Sequence, residues 1–215
     1  KNMEILPKLF GGSNQVKLMR LFLFNPDNFF LLKELGQRTK IKPGQIKKEI
    51  ALLESIGLVK TRKVAGATPI KKTKKTKKGQ KKKPARESLR SRLWGLNSEF
   101  FFVDHLRSLF NADFFVSRDE LAQKFKNCGK IKLLILSGIF VQEGGERVDM
   151  LIVGDGLKKK LIEKIITGIE SEIGRELTYA IMDSADFAYR FHSSDKFLRD
   201  ILDYTHKKII DKIGV

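Results

Sequence analysis

The segment IKPGQIKKEIALLESIGLVKTRKV, residues 41–64, changes its hydrophobic period partway along. From Pro43 onward, Ile46, Ile50, Leu53 and Ile56 recur at the spacing of one helix face. Pro43 suits the first turn of a helix, where its missing N–H is not needed. Gly57 is a natural stop. LVKTRKV then reads as an extended strand with no helical period. A helix with one apolar stripe, a glycine and a strand therefore follow one another within 24 residues.

Upstream, NQVKLMRLFLFNP (14–26) places Val16, Leu18, Met19, Leu21 and Phe22 at helical spacing. Ser13 or Asn14 can cap this helix, and Asn25-Pro26 stops it. FFLLKELGQRTK (29–40) predicts a short extended stretch, then a second helix through Leu32 and Leu35. Downstream, RLWGL (92–96) predicts a partner for the strand after Gly57. Three helices and a two-stranded hairpin spell a winged helix-turn-helix, expected over residues 1–96. In that arrangement the third helix enters the major groove of DNA. Its outward positions are Gln45, Lys47, Lys48 and Ala51. Gln can read adenine bidentately, and Lys reaches guanine or phosphate.

The charge is local. The chain has 215 residues and a net charge of +18, yet residues 60–92 hold fifteen Lys and Arg against one acid, Glu87. The two hairpin strands are separated by residues 65–88, far beyond the two to five residues of an ordinary hairpin loop. KKTKKTKKGQKKK (71–83) contributes Lys71, Lys72, Lys74, Lys75, Lys77, Lys78, Lys81, Lys82 and Lys83. With little apolar content it is expected to be a flexible, lengthened wing. Together with Lys60, Arg62 and Lys63 it is expected to clamp phosphates independently of sequence. Cys128 is the only cysteine, so no internal disulfide forms and a cytoplasmic setting is expected. No apolar run approaches the roughly 18 residues of a membrane span, so no membrane partner is expected.

NSEFFFVDHLRSLFNADFF (97–115) is dense in phenylalanine, with Asn97 or Ser98 as a cap. It predicts a connecting helix within 97–116 whose apolar face packs on a neighbouring domain or a second subunit. His105 has no companion at metal spacing and reads as a surface or packing residue. Ser117 and Glu120 form a capping-box pattern for a further helix. KLLILSG (132–138), VDMLIVGD (148–155) and ELTYAIMD (176–183) read as strands, with a short final strand near Lys208–Ile210. LKKKLIEKIITGIESEIG (157–174) is an amphipathic helix with Leu161, Ile162, Ile165, Ile166, Ile169 and Ile173 inward. Ser184 and Ser194 read as caps of two more helices. The order predicts a small α/β sheet over 117–215 with helices on one side.

These motifs in this order resemble winged-helix transcriptional regulators that carry a minimal nucleotidyltransferase-like domain of the DNA polymerase beta superfamily. LFGGSNQVKLMRLFLFNP resembles that family's first helix, KPGQIKKEIALLESIGLV its recognition helix, and LWGLNSEF its second wing strand. The resemblance runs from about Leu9 onward and is interrupted at the lysine insert. It implies a glycine-serine turn after the first strand of the second domain and Asp-x-Asp at the start of the next. Such a turn lets backbone N–H groups approach a triphosphate. Paired aspartates hold the Mg²⁺ ions that neutralise it.

The chain departs from that pattern. The turn reads Leu136-Ser137-Gly138-Ile139, and the aspartate pair reads Arg147-Val148-Asp149. Thr178 stands where a third carboxylate is expected, with Glu176 its same-face neighbour. One carboxylate beside an arginine is a poor Mg²⁺ site. Ser137, Gly138, Arg147 and Asp149 are therefore expected to be a vestigial nucleotide site, with Asp149 paired to Arg147 or idle. No catalytic residue, metal or cofactor is expected. Two alternatives stand beside this: Arg147 as a phosphate contact in a nucleotide sensor, and Glu143 or Glu146 as a replacement ligand.

The expectation is an α+β chain that binds double-stranded DNA as a transcriptional regulator. Its second domain would serve a homodimer, a partner contact or a nucleotide ligand. The competing readings are a Mg²⁺-dependent nucleotidyltransferase acting on protein or RNA, and a non-specific nucleic-acid packaging protein.

Overall fold

The computed structural model describes residues 5–63, 92–112, 118–141 and 148–215. The lysines from Lys71 to Lys83, together with Phe114, Phe115, Ser117, Glu143, Glu146 and Arg147, lie outside the described residues. The architecture is mixed α and β. No helix among the described residues is long and apolar enough to cross a membrane.

The first unit contains α1 (Ile5–Leu9), α2 (Ser13–Phe24), β1 (Phe29–Leu31), α3 (Leu32–Thr39), α4 (Pro43–Ser55), β2 (Val59–Lys63), β3 (Arg92–Leu96) and α5 (Val103–Ala112). Ile46, Ile50 and Leu53 turn α4 into the core. Each such side chain contributes roughly 1.5–3 kcal/mol by leaving water. Ile56 does not extend the stripe. It lies beyond the last helical turn and is 49% exposed. The sheet has order β1-β3-β2, both pairs antiparallel. β3 is thus central, and its Trp94 is buried on the core face.

Two of the expected caps are corrected. Gly12, not Ser13 or Asn14, precedes α2, and Ser13 is already helical. α5 begins at Val103, well past Asn97. Asn97 is engaged elsewhere, donating from Nδ2 to the Gly57 carbonyl at 2.9 Å and so tying β3 to the end of α4. The aromatic segment packs mainly within this unit. Phe110 is fully buried, 5.5 Å from the Phe10 ring, while Phe101 and Phe102 remain exposed.

The second unit contains α6 (Arg118–Phe125), β4 (Lys130–Leu136), β5 (Met150–Asp155), α7 (Lys159–Ile173), β6 (Tyr179–Met182), α8 (Ser184–His192), α9 (Lys196–Leu202) and β7 (Lys207–Asp211). Its sheet has order β6-β5-β4-β7. β4 is antiparallel to β5 and β7, and β5 is parallel to β6 across the α7 crossover.

Helices cover both faces of this sheet, which overturns the one-sided expectation. Leu134, Leu136, Met150 and Ile152 pack with α6 and α7. Leu133, Ile135, Leu151 and Val153 pack with Phe187 of α8 and with Leu198 and Ile201 of α9. β4 and β5 are apolar at nearly every position because neither face meets water. The caps of α8 and α9 are also corrected. Asp183 accepts from the Asp186 N–H, and Asp195 accepts from the N–H groups of Phe197 and Leu198. Ser184 is the first helical residue rather than the cap, and Ser194 adopts a left-handed backbone at φ +53.

Candidate nucleic-acid interface and nucleotide site

α4 presents Gln45, Lys47, Lys48 and Ala51 to solvent, because they fall opposite the stripe that the core takes. β2 follows α4 closely, and Lys60, Arg62 and Lys63 are all exposed. Lys60 and Arg62 are two residues apart, so they share one face of the strand. Opposite Lys60 the central strand carries Gly95, which in turn faces Phe29 of β1. A Cβ at Gly95 would meet the Phe29 ring at 2.8 Å. The bare glycine therefore lets that ring lie across the strand. The Arg62 guanidinium sits 4.0 Å above it. A cation over a ring face is attracted by the π quadrupole, so Arg62 is held in place while remaining open to an anion.

In the second unit, Ser137 and Asp149 meet, although the sequence separates them by twelve positions. Ser137 is buried. Its Oγ donates to the Val148 carbonyl at 2.6 Å, and its N–H donates to the Asp149 carbonyl at 3.0 Å. Gly138 has φ +53, a left-handed conformation that favours glycine, and it opens a single tight turn through Phe140.

Asp149 is not idle. Its Oδ1 accepts from the Ile139 N–H at 3.1 Å, and its Oδ2 accepts from the Thr178 N–H at 2.9 Å. Its own N–H donates to the Thr178 carbonyl at 2.7 Å. One side chain thereby joins the turn after β4 to the residue before β6. Both of its oxygens already serve backbone donors. Thr178 lies just before the strand rather than within it, and it enters this site through its backbone. Glu176 belongs elsewhere, in a 2.6 Å ion pair with Arg38 of α3. Among the described residues, no group of three or more His, Cys, Asp or Glu could hold a metal ion. His105 packs edge-on near the Phe102 ring, 6.2 Å away. Cys128 is buried, and burial raises its thiol pKa while Lys158 opposes the shift.

Sequence reasoning missed the junction that lies beside this site. α7 ends against α2 of the first unit. Gly174, the C-cap of α7, has φ +74, and a Cβ there would meet the Arg20 carbonyl carbon and the Leu21 nitrogen at 2.6 Å. Carbonyls at a helix end lack intrahelical donors. Here Arg20 Nη1 donates to the Glu172 carbonyl at 2.9 Å, and Asn25 Nδ2 donates to the Gly174 carbonyl at 2.7 Å. Lys17 pairs with the Glu172 carboxylate at 2.7 Å. Positive charge at this end also suits the helix dipole.

Arg175 follows directly, 4.3 Å over the Phe24 ring. Burial is the main influence on its guanidinium and lowers its pKa, while the Asp149 charge raises it. The junction thus borders Asp149. The only sequence signal was Arg20 within the apolar run Leu18–Phe24 of α2. Comparison with protein-family models, with curated proteins and with solved structures returned no match.

Proposed function

We propose that this chain is a DNA-binding transcriptional regulator, built as a winged helix-turn-helix followed by a nucleotidyltransferase-like domain without catalysis. The observation that carries the reading is the exposed surface of α4 and β2. Gln45, Lys47 and Lys48 stand clear of the core, and Arg62 is braced on Phe29 beside Lys60. Helices α2, α3 and α4 beside the β1-β3-β2 sheet support that reading. α4 would read base edges in double-stranded DNA, and β2 with the lysine-rich segment would hold phosphates. A dimer on paired half-sites is part of this proposal. The second unit would serve that dimer, a partner or a nucleotide.

The nucleotidyltransferase reading receives less support. Metal binding asks for carboxylate oxygens aimed at a cation, whereas both oxygens of Asp149 accept from backbone N–H groups. Selection from random duplex DNA at about 200 mM salt tests the proposal. Relative to 50 mM, that salt weakens six to ten phosphate contacts by roughly 10³ to 10⁵. An enriched motif supports a specific regulator. Tight binding confined to low salt, without a motif, would favour a packaging protein.

A further inference from the structure

We infer that the end of the second unit beside the start of α7 is a second duplex-DNA surface, so that one molecule bridges two DNA segments. An open groove of about 740 Å³ lies between α6, the start of β4 and the end of β7. Lys126, Lys130, Lys132 and Lys212 line it, with Asp119 the one acid among the described residues there. Lys132 is committed to Asp155 at 2.8 Å. Lys126, Lys130 and Lys212 are exposed and in no ion pair among the described residues.

Further positive charge adjoins the groove. The Lys158 N–H donates to the Cys128 carbonyl at 2.9 Å, which brings the exposed run Lys158–Lys160 beside the same corner. That run opens α7 at the positive end of its dipole, where cations are unfavourable unless an anion arrives. The groove's aromatic side chain, Phe125, is fully buried. Single strands are held largely by bases stacking on exposed rings, so lysines with no exposed ring among the groove's described residues suit the backbone of a duplex.

Position gives the bridging. α7 has 15 residues, about 22 Å at 1.5 Å per residue. Gly174 at one end abuts α2, while Lys158 at the other borders the groove. The first unit, which carries α4 and β2, and the groove therefore adjoin opposite ends of one helix.

Bridging rests on the DNA-binding proposal for α4, and the test separates the two. Full-length protein is mixed with a bead-bound duplex and a second, labelled duplex at about 100 mM salt. Binding to one duplex is followed in parallel by anisotropy. The Lys126→Glu, Lys130→Glu, Lys212→Glu variant should lose at least tenfold in bridging, while binding to a selected duplex at 200 mM salt stays within about twofold. The corresponding Lys→Gln variant, gentler on folding, should lose bridging in the same direction. A Lys47→Glu, Lys48→Glu variant should lose selected-duplex binding yet still retain DNA through the groove.

Undiminished bridging in both groove variants overturns the inference and leaves the α4 proposal standing. Groove-dependent binding with no selectable motif overturns the α4 proposal and the bridging with it, leaving the groove as a lone DNA surface. Groove-dependent sedimentation with anionic phospholipid vesicles in preference to duplex overturns DNA as the occupant.

Discussion

The Asn25 side chain closes two helices at once. Its Nδ2 donates to the Leu21 carbonyl within α2 and to the Gly174 carbonyl at the end of α7, each at 2.7 Å. A residue that the sequence offers only as a helix stop is therefore a tie between the two units. Replacing it with Ala leaves a half-buried carbonyl at the end of α7 without its donor. We expect Asn25→Ala to cost about 1–2 kcal/mol, read as a lower urea midpoint, with slower-exchanging amides at the end of α7 losing protection first.

Gly174→Ala is expected to cost more. The left-handed backbone alone disfavours a side chain by roughly 1–2 kcal/mol. The new Cβ would also press on the backbone of Arg20 and Leu21 at 2.6 Å, which no rotamer change relieves. A melting temperature lowered by more than about 4 °C is expected, since 1 kcal/mol moves a chain of this size by about 2–4 °C. An unchanged melting curve would contradict the packing of α7 on α2.

Asp149→Ala removes the acceptor of two backbone donors, Ile139 and Thr178. A loss of about 1–3 kcal/mol is expected, without any nucleotide present, because the part-buried Ile139 N–H is left without its acceptor while the exposed Thr178 N–H turns to water. Asp149→Asn keeps one acceptor and should lose less. Millimolar Mg²⁺ should leave the melting temperature of the parent protein unchanged. A clear Mg²⁺-dependent stabilisation abolished by Asp149→Asn would instead mark a metal site.

Phe29→Leu removes the ring beneath Arg62 while keeping an apolar side chain against Gly95. A cation over a ring at an exposed site contributes about 0.5–1 kcal/mol. Duplex affinity should therefore fall about two- to fivefold in a titration at fixed salt, with little change in unfolding. A larger effect on folding than on binding would make Phe29 a core residue rather than a brace.

The hydrogen bond from Lys132 holds the Asp155 carboxyl below the ordinary carboxylate range, and the N–H groups of Gly214 and Ile213 do the same for Asp211. Because the folded pKa lies under the unfolded value of about 3.9, each contribution is complete above that pH. It is lost as pH falls through the folded pKa. Asp155→Asn should therefore flatten the decline of stability below about pH 4. Its effect relative to the parent should be greatest near neutrality.

Much of the first unit was legible because its signals are local. The stripe Ile46, Ile50, Leu53 and the first-turn Pro43 mark α4 without reference to anything distant. Strand pairing was legible only as a hairpin. That β3 would also pair with β1 depends on residues 29–31 meeting 93–95 in three dimensions. In the second unit, the near-continuous apolar runs of β4 and β5 did carry the signal of a sheet covered on both faces. A strand with one wet face alternates, and these do not. The role of Asp149 could not be read, because its partners are backbone N–H groups that every residue but proline possesses. The caps Asp183 and Asp195 show the reverse case, in which a carboxylate beside a serine competes for the same position and wins.

Trp94 is the chain's only tryptophan and lies in the core of the first unit. Intrinsic fluorescence excited at the indole band is therefore a private signal of that unit, whereas far-ultraviolet circular dichroism sums over both. If the tie through Asn25, Arg20 and Gly174 couples the units, the two optical transitions coincide in a single denaturant titration. Were that tie cut, the same pair of spectrometers would record two events, and the emission change would date the opening of the first unit alone.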